Sequence, residues 1–377
     1  MTSEERRDAR FQRRRALRDE KKKRKMLQIG NYNDIFTYIN LYDAFYNCRT
    51  GVRWKASVQK FEATLPLVTL EMFNQTQKRE FKPLKFFEFD INERGKMRHI
   101  MAMTIADRCI QKVLCEKYLT PVLEPKLIFD NGASQKGKGT DFSLRRLKRQ
   151  LLYHYKKYGR EGYILQYDFS KYFNRIDHKI LLELLKKDIP DKDIYRMMES
   201  IIHSFGDEGL GLGSQVSQTC AIYYPTLLDR YFKETLHIKG YGRYMDDGYA
   251  LCKDLDEVNK CKQGLKEMAD KLHIVLNEKK VTVTKLSNTF IFLKKRFQLT
   301  ENGQVIIKIS KQSAHKARRR LRKMFQKYSG QPENMHYILD SYRSWYGMSA
   351  GTKNYFITEN YKKLFNKLYQ EELNKSC

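Results

Sequence analysis

Two strand-forming runs in this chain lead into carboxylates, and that arrangement constrains the fold more than any other feature. Tyr163-Ile164-Leu165-Gln166-Tyr167 runs into Asp168, while Gly242-Arg243-Tyr244-Met245-Asp246-Asp247-Gly248-Tyr249-Ala250 reads as strand, turn, strand with adjacent acids at the bend. Adjacent carboxylates at a tight turn repel each other, and a third beside them is worse unless cations neutralise the cluster. The pattern is therefore a design for metal. A plainer reading stays open for each part taken alone: Asp246-Asp247-Gly248 suits a type I′ hairpin turn, and Asp168 suits a strand-ending cap.

The surrounding pattern mixes elements without strict strand-helix alternation, which favours an α+β fold. Residues 38–81 read as mostly helical. Extended segments follow at 86–89 and 98–101, flanking a turn at Arg94-Gly95. Helices are expected over 104–123 and 142–157, with a glycine- and lysine-rich loop at 131–140 between them. After the strand ending at Asp168, a helix over 178–187 has Asp177 as its N-cap. Further helices are expected at 220–237 and 255–272, and strands near 274–276, 281–284 and 290–297. The last 70 residues read as helical and basic, and no internal repeat is evident.

Charge narrows the partners. Lys and Arg number 73 against 44 Asp and Glu, a formal net charge of +29. Such a surplus points first to a nucleic acid and second to an anionic membrane, and 13% aromatic residues add rings that can stack on bases. No run of apolar residues reaches membrane-spanning length, and the basic first 26 residues lack a following apolar stretch, so a soluble, cytoplasmic protein is expected. That basic start reads either as a disordered arm or as a solvated helix touching phosphate. The cysteines are odd in number and form no CxxC pair, which argues against a disulfide framework or a zinc ribbon.

Here the residues reach a resemblance. Tyr244-Met245-Asp246-Asp247 resembles the YxDD signature of reverse transcriptases, and Tyr167-Asp168 through Phe173 resembles the aspartate motif that precedes it. Arg94-Gly95-Lys96-Met97-Arg98-His99-Ile100 is similar to the fingers motif whose basic residues meet the incoming triphosphate. Asp107-Arg108, Gln111-Lys112 and the segment 134–140 resemble blocks of bacterial retroelement enzymes. Leu276-Asn277-Glu278-Lys279-Lys280 resembles the palm lysine motif, and Phe290-Ile291-Phe292-Leu293 the primer-grip strand.

The resemblance implies a right-hand polymerase: a basic N-terminal extension over 1–26, fingers over 27–160, palm over 161–304 and a helical basic thumb over 305–377. It implies RNA-directed DNA synthesis, with two Mg²⁺ (or Mn²⁺) ions held by Asp168, Phe169, Asp246 and Asp247. Two ions roughly 3.5–4 Å apart would activate a primer 3′-hydroxyl and stabilise the leaving pyrophosphate. Lys280 would protonate that pyrophosphate. Lys96, Arg98, Phe169, Phe173, Leu212, Gly213 and Gln218 would meet the nucleotide, with Phe173 excluding a 2′-hydroxyl. Lys311, Lys316, Arg318, Arg319, Arg320, Arg322 and Lys323 would track template-primer phosphates. The segment 341–347 resembles the thumb of bacterial members. The implied partners are an RNA template, a DNA or RNA primer and deoxynucleoside triphosphates, with an accessory protein or a structured non-coding RNA as further candidates and no membrane.

Departures refine the resemblance. Where most reverse transcriptases carry Gln-Gly followed by Ser-Pro, this chain has Leu212-Gly213 and Ser217-Gln218, a pattern similar to the error-prone enzymes of diversity-generating retroelements. Patterns associated with retron enzymes and the endonuclease region of group II intron proteins are not found. Lys294 stands where the family usually has glycine. Two alternatives stay open: an antiviral defence reverse transcriptase, and an RNA-binding protein descended from a polymerase.

Overall fold

The computed structural model describes residues 3–93, 95–350 and 354–376. Its first sheet is an antiparallel hairpin of β1 (Phe87–Glu93) and β2 (Lys96–Ala102), as the sequence predicts for this region. Arg94, half of the expected Arg94-Gly95 turn, lies outside the described residues.

The central sheet has four strands in the order β4 (Tyr241–Tyr244), β5 (Asp247–Cys252), β3 (Tyr163–Asp168), β6 (Thr282–Lys285). Every pairing in it is antiparallel. Side chains on a strand alternate between faces, and here the alternation divides β3 and β5 between two cores. Leu165, Tyr167, Ala250 and Cys252 join the large cluster that includes the helix Leu255–Lys271. Ile164, Tyr249 and Leu251 face a second cluster shared with the helix Thr140–Tyr158 and a third sheet. Burial on both faces fixes the register, because a one-residue slip would exchange the two sets.

That third sheet is β7 (Phe290–Phe292), β8 (Lys295–Leu299) and β9 (Val305–Ile309). The single strand expected over 290–297 is in fact a hairpin, turned at Leu293 and Lys294 with φ of 46° and 64°. β9 is a strand in a region read as thumb, and the C-terminal helices begin at Lys311. Helices Lys311–Lys327, Met335–Ala350 and Tyr355–Ser376 pack around Leu321, Phe325, Ile338, Tyr361 and Phe365.

Local signals explain several element ends. Asp177 caps the helix His178–Asp188 by accepting from the Ile180 amide at 3.1 Å, as its position predicts. The helix expected over 220–237 starts earlier, at Gln215 behind a Ser214 cap, and ends at Tyr223. Pro225, which has no amide to donate, separates it from Thr226–Arg230 and the π-helical turn Tyr231–Thr235. Residues 274–276 make no strand, only an isolated bridge between Leu276 and Phe169. The basic start forms one helix, Ser3–Ile29, with Phe11, Leu17 and Leu27 exposed, which is the helical of the two expected forms. Cys48, Cys109, Cys115, Cys220, Cys252 and Cys261 are free and buried; Cys377 lies outside the described residues. Among the described residues no helix is long and apolar enough to cross a membrane.

Candidate active site

Register builds the site. Asp168 is the last residue of β3 and lies directly opposite Asp247, the first residue of β5. Tyr244 pairs with Asp247 across the β4–β5 hairpin, leaving Met245 and Asp246 as its loop. The result brings one carboxylate oxygen from each of Asp168, Asp246 and Asp247 within 4.8 Å of one another.

The type I′ reading of Asp246-Asp247-Gly248 is not realised, because Asp247 and Gly248 already belong to β5. It is Met245 that takes a positive φ, 57°. Gly248 answers a different need: a Cβ there would lie 2.1 Å from Cζ of the Tyr167 ring on the adjacent strand. The ring of Phe169 is buried beside Tyr167 and Tyr172 and carries no donor atom, so a metal ligand from Phe169 could only be its main-chain carbonyl.

The cluster is electrostatically strained. Burial, the neighbouring Asp246 charge and a hydrogen bond with Asp168 push the Asp247 carboxyl up to about 7, while Lys280 acts the other way. Lys280 Nζ donates to Asp168 Oδ2 at 2.8 Å, and Asn277 Nδ2 donates to the same oxygen at 3.2 Å. Lys280 belongs to a 3₁₀ turn, Glu278–Lys280, rather than to a strand. Its ammonium resists burial, yet the Asp168 bond and the charges of Asp168, Asp247 and Asp246 prevail and raise its pKa. An all-oxygen, acidic donor set that takes up protons or an ammonium suits a hard divalent cation.

Gly213 and Gln218 line one polar cleft of about 350 Å³ with Arg108, Gln111, Lys112 and Ser134. Gly213 has φ of 125°, and a Cβ on it would sit 3.0 Å from the Met101 carbonyl. Leu212 is half-buried and forms a parallel bridge to Ile100, its carbonyl accepting from the Met101 amide at 2.9 Å. Phe173 is half-buried in the 3₁₀ turn Tyr172–Arg175, and its carbonyl accepts from the Leu210 amide at 2.6 Å. On β2, Arg98 pairs with Glu93 at 2.5 Å; the side chain of Lys96 lies outside the described residues. Lys316, Arg319, Arg320 and Lys323 line a shallow groove on Lys311–Lys327, where Lys311 and Arg322 are also exposed and Arg318 is half-buried.

Sequence reasoning missed Asn277, although it lies inside a quoted motif, and also Asp229 and Arg243. The latter two form a pair with both side chains 0% exposed beneath the Met245-Asp246 turn. An arginine in a strand and an aspartate in a helix carry no local sign that they will meet.

Residues 76–338 match a family model described as reverse transcriptase (RNA-dependent DNA polymerase). The chain belongs to the reverse transcriptase family. Comparison with curated proteins finds no match. Among solved structures, a telomerase from Candida albicans in complex with a fragment of telomeric RNA aligns with a TM-score of 0.50 at 10% identity, covering 78% of this chain and 56% of that one. An apo telomerase from Candida tropicalis, truncated of its C-terminal domain, gives 0.47 at 15% identity, covering 64% of this chain and 59% of that one. This reverse transcriptase family chain thus spans rather more than half the length of both. With the family match, the mixed helix and sheet architecture is that of an α+β right-hand polymerase.

Proposed function

We propose that the chain is an RNA-directed DNA polymerase that adds deoxynucleotides to a primer 3′-hydroxyl, with Asp168, Asp246, Asp247 and the Phe169 carbonyl holding two Mg²⁺ ions. The observation that carries this reading is the convergence of the three carboxylates at adjoining strand ends. When bound, such ions would lower the pKa of the primer hydroxyl and stabilise charge on the transferring phosphate.

The chain's own residues supply the rest. Arg98, and Lys96 two positions before it on β2, would neutralise the triphosphate, Arg98 first leaving its pair with Glu93. Phe173 would stand below the sugar and exclude a 2′-hydroxyl. Leu212, Gly213 and Gln218 would bound the nascent base pair, and Lys280 would deliver a proton to the departing pyrophosphate. The exposed cations of Lys311–Lys327 would hold template-primer phosphates without reading sequence.

The finer reading is a prokaryotic retroelement enzyme of the diversity-generating kind, supported by Leu212-Gly213 and Ser217-Gln218 in place of the usual pairs. Asp246→Asn tests the core of the proposal, since metal ligation needs the charge and the grip on RNA does not. Primer extension should be abolished while RNA affinity stays within about twofold; extension within a few-fold of the unmodified protein would sink the two-metal assignment.

A further inference from the structure

The turn carrying Asp246 and Asp247 should not hold its shape unaided. Met245 has φ of 57°, in the left-handed region that residues with a side chain avoid, and such a conformation persists only where its surroundings over-determine it. What lies under it is a buried, directed set of hydrogen bonds. Arg243 Nη1 donates to the Met245 carbonyl at 2.7 Å. Its Nε and Nη2 grip the two oxygens of Asp229 at 2.8 and 2.6 Å, and Nη2 also reaches the Ile222 carbonyl at 2.9 Å. Tyr241 donates its hydroxyl to Asp229 Oδ1 at 2.7 Å and lies 2.7 Å from the Tyr167 hydroxyl, whose ring packs under Gly248. The Arg243 backbone is tied down as well, its amide donating to the Asp130 carbonyl and its carbonyl accepting from Gly132.

We propose that Arg243 and Asp229 are positioning residues that hold the Met245 carbonyl, and through it the spacing of Asp246 and Asp247, for metal. This rests on the two-metal reading above. Stability alone is a poor reason for the pair, because a buried ion pair is often matched by apolar residues of similar volume. What apolar residues cannot replace is a donor aimed at the turn. Asp229 fixes the plane of the guanidinium, and the plane decides where Nη1 points.

Two variants separate positioning from folding. Arg243→Lys keeps a charge opposite Asp229 but lacks the planar fork that serves two partners at once. Arg243→Met combined with Asp229→Leu removes both charges together, leaving none unpaired. For each, thermal unfolding, binding of a template-primer duplex, Mn²⁺ binding by electron paramagnetic resonance and the Mg²⁺ dependence of single-nucleotide extension are measured. Both cation affinities should weaken about 10- to 100-fold, the scale for groups that orient metal ligands, while duplex affinity stays within about twofold. A folded variant with cation affinities within about twofold of the unmodified protein overturns the proposal. Failure of both variants to fold overturns it too, by assigning the pair to stability. Asp246→Asn run in parallel keeps the readings apart: if its Mn²⁺ binding and extension are unchanged, the metal reading itself fails, whatever the Arg243 variants do.

Discussion

Lys280 donates its ammonium to Asp168 across 2.8 Å, on the same oxygen that Asn277 reaches. Without a cation, that ammonium supplies the positive charge the carboxylates need. A divalent ion on Asp168 would compete for the oxygen and release Lys280 toward the leaving phosphate. Lys280→Ala should then lower the maximal rate of single-nucleotide incorporation by about 100-fold, the low end of what a general acid contributes, with nucleotide affinity changed only a few-fold. Lys280→Arg keeps the charge but gives up its proton poorly, and should be nearly as slow. Rapid-quench kinetics separates the two parameters; a loss confined to affinity would make Lys280 a binding residue.

Asp247 gives the metal-free protein a pH dependence of defined sign. Its carboxyl titrates near 7 in the fold, against an ordinary value of 3.8. Between those limits the folded state holds a proton that the unfolded chain releases, so stability falls as pH rises across the window and levels off above it. Metal-free protein should therefore melt at a lower temperature at pH 8 than at pH 5. Asp247→Asn should flatten that difference, and Mg²⁺ at pH 8 should restore several degrees to the unmodified protein but not to the variant. Parallel pH profiles for the two metal-free proteins would show that Asp247 is not the titrating group.

The β7–β8 turn carries strain of a different kind. Leu293 and Lys294 both have positive φ, a turn form that favours Asn-Gly because side chains make it costly. Glycine at Lys294 would relieve about 1 kcal/mol, the lower estimate for one left-handed residue, less the entropy glycine adds to the unfolded chain. Lys294→Gly should raise the urea midpoint slightly and leave extension intact. A lower midpoint would mean that the lysine side chain contributes more than its backbone costs.

This turn also shows what the sequence could reveal. Position 294 was legible as a departure from the family's glycine, and the reason, a left-handed residue, needed the structure. β3, β5 and the Asp177 cap were readable because their signals are local: alternating apolar residues and an acid at a helix start. β9 escaped because Val305-Ile306-Ile307-Lys308-Ile309 precedes a long basic helix and earns its strand only by pairing with β8. The need for glycine at 248 was not legible, because the Tyr167 ring that excludes a side chain there comes from another strand. Arg243 and Asp229 were invisible for the same reason: each is ordinary locally, and only the packing of β4 on a helix makes them a pair.

Leu212 decides how far the retroelement reading extends. Its main chain is fixed, the carbonyl accepting from the Met101 amide at 2.9 Å, and at the following Gly213, whose φ is 125°, a Cβ would sit 3.0 Å from the Met101 carbonyl, a tight contact. A change at 212 therefore acts through the side chain alone. At the proposed nucleotide site, leucine would offer the nascent pair only packing, whereas glutamine would bring donors and an acceptor. One added hydrogen bond is worth about 1 kcal/mol, which alters discrimination several-fold rather than thousands-fold. Leu212→Gln should accordingly reduce misincorporation opposite each template base by several-fold, with the correct-nucleotide rate retained. The half-buried setting allows this if the longer side chain turns toward the nucleotide instead of into the packing around Ile100. Single-nucleotide misincorporation assays on both proteins measure the ratio directly. Equal error spectra with full activity would remove the diversity-generating reading and leave membership of the reverse transcriptase family untouched, because that rests on the whole matched region and not on this one side chain.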